Sequence, residues 1–578
     1  MKAGHWNGTH ACLVLAAAVL TACGGGGGSS DNPSPPAASL TLSGTAATGA
    51  AIAGQTVEAK CATGTGSATT KTDGTYTLSI TGGVLPCLAK VTAGSTVLYT
   101  VVATGSGSAA TANITPLTQL VVASLAGTDP ATFYTAFTSS TAGAVTSATV
   151  TAATTAVVTT LGAAGITLTG VDPISGTLVA GSSANPYDAA LETLAKTLAS
   201  TGTTLETLTT TVAATSPAAT TTTTGSGSAT TSGVASLPAD LLLQPAASNC
   251  SALRSGKYRV VHPEPGTTLA NQYGLVTINA STLAIVYTDG TTGTWAVNGP
   301  CRYSDDAGKT DIVVTPAGVI VVRSLDTGTT FRPAIGFPVQ THTLAELAGT
   351  WNTLGLERNS ANTAYTAIAA TGTIDSAGAL SAVTGCQNDT TWSVSGADCR
   401  SFTPDSSLKA NADGGFDVVD LASSSVGARG FAYRSGSGDL MLVQVDGDGS
   451  FQLFTRQRTL SLPTVGTSTT FWNLTINNQL LMPGAVGQTS NTIQSVDSAA
   501  GSYVRIQKTV GGTNDHPETL LQNSPRNGYF FRAAGSALAI DGTTVSIGEF
   551  TGLNMRSMGF NPLISPASKT FTISAVQP

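Results

Sequence analysis

Asn514-Asp515-His516-Pro517-Glu518 places an imidazole among carboxylates, a combination able to move a proton or hold a metal ion. Asp515, His516 and Glu518 are therefore the acid–base candidates of this chain, and the competing reading of the pentapeptide is a solvated polar loop. His262-Pro263-Glu264 echoes its last three letters, while His342 stands apart from both, so the three histidines define no common site by spacing. Asp446-Gly447-Asp448-Gly449 has the opening of a calcium loop but lacks the third acid and the distal glutamate, which leaves a hairpin turn as its explanation. The G-x-S-x-G, H-E-x-x-H, P-loop and C-x-x-C patterns are all absent. No metal and no cofactor is expected, and the motifs lean away from an enzyme, although a site assembled from distant strands leaves no local signature.

All of these residues lie in a carboxyl-terminal half, 246–578, that repeats itself. Trp295-Ala296-Val297-Asn298-Gly299-Pro300-Cys301-Arg302 matches Trp392-Ser393-Val394-Ser395-Gly396-Ala397-Asp398-Cys399-Arg400, and Thr277-Ile278-Asn279 matches Thr373-Ile374-Asp375. A third copy without cysteines keeps Trp472-Asn473 against Trp351-Asn352. The copies fall at about 250–343, 344–465 and 466–578. Each holds six to eight short alternating runs between turns and no convincing helix, which makes the half all-β. Eight strands per copy would build two four-stranded blades each, hence a propeller-like ring. Gly349-Thr350-Trp351 is similar to the G-x-W opening of a lipocalin-type barrel, and that resemblance implies the alternative of three barrels in tandem. Trp295, Trp351, Trp392 and Trp472 all fall here, where repeated placement favours core packing over ligand stacking.

The amino-terminal half has a different grammar. Residues 39–114 alternate apolar and small polar side chains between glycine turns, with Asp73-Gly74 as a hairpin signal, and read as a β-sandwich. At Gly44, Gly49, Ile52, Gly54, Val57 and Thr72-Asp73-Gly74-Thr75-Tyr76 this stretch resembles the carboxypeptidase regulatory-like, or transthyretin-like, family, which implies a non-catalytic spacer or adhesion module. Thr115-Pro116, Asp129-Pro130 and Asn185-Pro186 are helix starts, with a capping oxygen before a proline at the first helical position, so 115–214 is a helical unit. Its alanine- and threonine-rich faces are thin and need a neighbour to pack against. Residues 215–245 form a linker rich in threonine, serine and glycine.

Residues 11–20 are a short apolar run behind Lys2, too brief to span a bilayer and suited to an export signal occupying 1–22. Leu20-Thr21-Ala22-Cys23 resembles the bacterial lipobox. The resemblance implies cleavage before Cys23, a diacylglycerol on its thiol, membrane lipid as a partner, and, with Gly24 rather than Asp next, the outer membrane. Residues 23–38 carry nothing to bury and form a flexible tether. With Cys12 in the signal and Cys23 lipidated, six cysteines remain in an oxidising compartment. Of fifteen connectivities, pairing of sequence neighbours is favoured: Cys61 with Cys87, Cys250 with Cys301, and Cys386 with Cys399.

Charged residues are 10% of the chain where about 25% is usual. The net charge of -7 has no basic block, which excludes a nucleic-acid partner. These features together describe a mainly β, multidomain, non-enzymatic outer-membrane lipoprotein, facing the periplasm or the cell surface, that binds a ligand or an envelope protein. A secreted hydrolase with an unrecognised site and a purely structural surface protein are the alternatives.

Overall fold

The computed structural model describes residues 39–216, 237–305, 309–327, 330–389, 396–512, 515–532, 544–547, 553–558 and 570–578. The expected export segment, Cys23, the tether, most of the 215–245 linker and Trp392 lie outside the described residues. Strand accounts for 46% of the chain and helix for 16%, so the protein is mainly β. No described helix is long and apolar enough to cross a membrane.

Two sheets face each other at the amino-terminal end. One joins Thr75–Thr81, Ser39–Thr45 and Ala109–Thr111; the other joins Thr65–Thr69, Thr56–Thr63, Val84–Ala93 and Thr96–Val102. Period-two alternation sends Tyr76, Leu78 and Ile80 inward onto Leu40, Leu42, Val57 and Val91, so one face of each sheet makes the sandwich core. At the Asp73-Gly74 turn the carboxylate accepts from the Thr75 amide at 2.9 Å and from the Thr75 hydroxyl at 2.7 Å, and Gly74 takes a φ of 79°. Helices Pro116–Ala126, Pro130–Ala136, Ser147–Ala163, Pro186–Thr201 and Leu205–Ala214 follow. Their thin apolar faces are completed by the sandwich: Leu117, Leu120 and Val121 share one buried cluster with Leu88, Tyr99 and Val101.

The carboxyl-terminal half is three successive barrels, not a ring of blades. The third copy is a closed barrel of eight strands, in which Ser468–Ile476 pairs with Thr570–Val576. In the first copy Gly256–Val261 pairs with Thr330–Pro338, and in the second Gly349–Arg358 pairs with Phe451–Arg456. Each of these two sheets is interrupted only where one strand is split in two. Thr292–Thr294 and Ala296–Gly299 are halves of one bent strand with Trp295 at the bend, whose amide donates to Leu283 O at 2.9 Å. Cys399–Phe402 and Ser406–Ala410 are the corresponding halves in the second copy. Counting split strands once gives eight per copy. The propeller expectation fails because pairing the first strand with the eighth uses the edges that would have separated two blades.

Residues paired across a ladder share a face, so the registers sort every strand into lumen and exterior. The first lumen holds Tyr258, Ile278, Ile285, Tyr303, Ile312 and Ile320, with Arg332 opposite Ser324 on the same face. One end of the second is filled by Leu347, Trp351, Ile374, Leu408, Phe416 and Leu442. The exteriors pack barrel on barrel: Phe337 meets Tyr433 with ring centroids 6.0 Å apart, and Phe451 meets Phe571 at 6.2 Å. Each such ring removed from water stabilises the assembly by about 1.5–3 kcal/mol.

The three disulfides join Cys61 to Cys87, Cys250 to Cys301, and Cys386 to Cys399. The last two are not equivalent by position. Cys301 lies between Ala296–Gly299 and Arg302–Ser304, whereas Cys399 opens the first half of a split strand and faces Cys386 directly across a ladder. The cysteine match that helps to frame the repeat in the sequence is therefore not a structural equivalence.

Candidate functional site

Asp515-His516-Pro517-Glu518 is strand, not a solvated loop. It opens Asp515–Gln522, which alternates exposed and buried positions along its whole length. That alternation divides the candidates: His516 and Glu518 face the third lumen, and Asp515 points outward into an exposed ion pair with Lys508 at 3.0 Å. The polar letters and the proline concealed a strand whose inward side chains are themselves polar.

Glu518 is 2% exposed and is held by two guanidinium groups. Arg505, directly opposite on Ser502–Thr509, donates to its Oε2 through Nε at 2.9 Å and Nη2 at 2.7 Å, and Arg532 donates to its Oε1 through Nη1. Arg532 is 3% exposed, so the pairing is desolvated. Two guanidinium groups therefore meet at one carboxylate on the lumen wall, where exclusion of water strengthens the pairing. One end of the lumen is closed by Leu460, Tyr503, Leu520 and Phe530. Away from that plug the wall carries Gln507 opposite His516 and Asn491 opposite Gln507. His516 Nδ1 and Asn491 Oδ1 are buried without a hydrogen-bond partner. Further round, Ser574 donates to Asn473 Oδ1 at 2.6 Å, and Asn473 donates to Thr489 at 2.8 Å. The described part of this lumen is therefore polar, with guanidinium, amide and imidazole groups along one wall.

The second lumen carries a carboxyl pair. The Asp446-Gly447-Asp448-Gly449 turn is a hairpin, with the Asp446 amide donating to Ser450 O at 2.9 Å. Its Asp446 carboxylate faces the same lumen as Glu357, a residue that sequence spacing did not connect with it. Burial, then the charge of Asp448, pushes Glu357 up to about 7; burial, then the charge of Glu357, pushes Asp446 up to about 7. Gln452 donates to Glu357, and Gln444 donates to Asp446 at 3.2 Å. Among the described residues no group of three or more His, Cys, Asp or Glu could hold a metal ion.

The remaining histidines have local roles. Burial holds His262 below its ordinary value, against the opposing charge of Glu264. His342 Nε2 lies 2.9 Å from Gln340 Oε1, and its bond to Glu346 is the main cause that holds that carboxyl down at about 2. Trp351 is core, with Nε1 donating to Leu347 O at 2.8 Å. Trp472, its match in the sequence repeat, faces the barrel exterior, because the third copy sits one residue out of phase on its first strand.

No family model matches this chain, and no curated protein matches it. Solved structures give partial likenesses. A protein of unknown function of the DUF3598 family from Nostoc punctiforme is 14% identical over 41% of this chain and 99% of its own, with a TM-score of 0.17. Transferrin binding protein B from serogroup B Neisseria meningitidis is 12% identical over 53% of this chain and 63% of its own, at 0.18. Kievitone hydratase from Nectria haematococca is 9% identical over 42% and 93%, at 0.15. At these scores neither fold detail nor function passes from them to this chain.

Proposed function

We propose that the protein is a binding protein held at the outer membrane by lipid on Cys23, with the third barrel as a cup for a small anionic ligand. The observation that carries the ligand class is the meeting of two guanidinium groups, Arg505 and Arg532, at Glu518 on the lumen wall, beside the unpartnered Nδ1 of His516. Buried polar groups on a lumen wall are costly to a barrel that serves only as a spacer. The sandwich, with its transthyretin-like residue pattern, then acts as a non-catalytic spacer that carries the barrels away from the anchor. The lipid part of the reading rests on the lipobox resemblance at 20–23.

Two measurements test the two halves separately. Cys23→Ser should move the protein from the membrane fraction to the soluble fraction or leave its leader uncleaved; full membrane retention with a cleaved leader refutes the anchor. Calorimetric titration of the lipid-free chain with citrate and with inorganic phosphate tests the cup. Saturable binding that weakens at least tenfold in His516→Leu supports it, and no heat from either anion, or equal binding by the variant, refutes it.

A further inference from the structure

Two independent features set the disulfide of the second barrel apart from the other two. The first is access. Cys61, Cys87, Cys250 and Cys301 are all buried, so both ends of their bonds are closed to a reagent in solution. Cys386 is equally closed, at 1% exposed, but its partner Cys399 is only half-buried. The second feature is a cation at one sulfur. Arg526 donates from Nη2 to Cys386 Sγ at 3.0 Å and from Nη1 to Thr371 Oγ1 at 3.0 Å. Among the described residues no carboxylate pairs with this guanidinium, and no side chain donates to the sulfurs of the other two disulfides. The third barrel brings Arg526 there, in the turn between Asp515–Gln522 and Phe530–Arg532. That turn is pinned to the outside of the second barrel, where Asn352 donates to Asn527 O at 2.7 Å and the Tyr529 hydroxyl lies 2.9 Å from both Thr353 O and Ala370 O.

A disulfide sulfur is a weak acceptor, whereas a thiolate carries a full charge, so the guanidinium holds Cys386 far more strongly once the bond has opened. A neighbouring arginine lowers the pKa of a cysteine, and a thiol of lower pKa leaves a disulfide faster. Access and leaving group therefore select the same direction, with attack at Cys399 and departure at Cys386. An incoming thiolate bonds to Cys399 Sγ, the Cys386–Cys399 bond breaks, and its electron pair stays on Cys386 Sγ. The incoming sulfur is oxidised as Cys386 is reduced, and no other oxidant enters. Cys386 faces Cys399 directly across the ladder, beside Gly385 opposite Arg400 and Thr384 opposite Ser401. The thiolate thus stays next to the mixed disulfide, and the return attack that expels the thiol is intramolecular. We infer that Cys386–Cys399 is a reversible thiol-exchange site, at which Cys399 takes up a low-molecular-weight thiol as a mixed disulfide and Arg526 holds the departing Cys386 thiolate. The site lies on the outside of the second barrel and does not depend on the anion reading of the third lumen.

Reduced glutathione is the probe. The folded, oxidised chain is incubated with it near neutral pH, sampled at early times into acidic denaturant containing N-ethylmaleimide, and mapped by peptide mass spectrometry. Glutathione should appear on Cys399 and alkylation on Cys386, with the other two disulfides intact. Arg526→Gln should slow formation of the adduct by about threefold or more, and Arg526→Lys, which keeps the charge, should recover most of the rate. A guanidinium that served only to pack the two barrels together would give the opposite sign, because a loosened contact uncovers Cys386 and quickens opening. The inference is overturned if no adduct forms, if glutathione is found on Cys386, if all three disulfides open at one rate, or if Arg526→Gln reacts as fast as the parent chain or faster.

Discussion

Replacing Glu357 by glutamine should remove a pH dependence from the second barrel. In the folded chain this carboxyl sits at about 7 against an ordinary value of 4.5, with burial as the first cause and the charge of Asp448 as the second. Between those values the folded state binds more protons than the unfolded state, so stability falls as pH rises from about 4.5 to about 7. The cost is fully developed above that window and absent below it. A shift of this size corresponds to about 3 kcal/mol for an isolated group. Part of it is repulsion shared with Asp446 and Asp448, so about 2 kcal/mol is expected for the single substitution. Glutamine keeps an oxygen for the Gln452 donor, and it removes the charge that raises Asp446. Because a chain of several units need not unfold in one step, the assay is amide hydrogen exchange of Leu440–Asp446 and Phe451–Arg456, followed at pH 5 and pH 8 with intrinsic exchange rates corrected. Glu357→Gln should protect these strands by roughly 30-fold at pH 8, and should leave pH 5 unchanged. Equal protection of both chains at pH 8 would refute the argument that these carboxyls are held protonated by a shared dry lumen.

Glu518→Leu should destabilise the third barrel by about 3–5 kcal/mol in urea unfolding, since it removes the carboxylate that two buried guanidinium groups share. The triple change with Arg505→Leu and Arg532→Leu should recover most of that loss; a triple variant no better than the single one contradicts the assignment. Asp515→Ala, by contrast, removes an exposed ion pair and should change stability by less than about 0.5 kcal/mol, which the same unfolding curves will show. Changing Cys386 and Cys399 together to serine opens a loop of 13 residues and should cost about 3 kcal/mol, while the 51-residue loop closed by Cys250 and Cys301 should be worth about 4 kcal/mol. Calorimetric scans of the two double variants should rank them in that order.

The all-β class and the division into copies were legible because alternation and turn residues act within a few residues of chain, and the structure obeys them strand by strand. Closure was not legible. Whether eight strands make two blades or one barrel depends on the pairing of Gly256–Val261 with Thr330–Pro338, a contact between segments about 75 residues apart that no local pattern encodes. The site was half legible for a related reason. His516 and Glu518 stand out by residue type, but Arg505 and Arg532 join them only through ladder register. Tyr503-Val504-Arg505-Ile506-Gln507 alternates in the sequence, but alternation alone would have turned Val504 and Ile506 inward and Arg505 outward. Glu357 left no trace either, since its partner Asp446 is 89 residues away and the two meet only across the lumen. The match of Trp472 to Trp351 misled because a one-residue change of phase reverses the direction of a side chain without disturbing the letters around it.

The pairing of first and last strands also decides how these barrels bear load. In each, the residue that enters the barrel lies beside the residue that leaves it, as Tyr258 beside Pro338 and Trp472 beside Ala575 show. The two strands run antiparallel, so a pull applied between entry and exit opens their hydrogen bonds one after another, like a zip, instead of shearing the whole row at once. A protein stretched from its amino-terminal side by flow or by a bound partner would therefore lengthen at low force, barrel by barrel. In the first barrel the Cys250–Cys301 bond withholds the chain between those two residues from that extension, so the strands beyond it are the ones that yield.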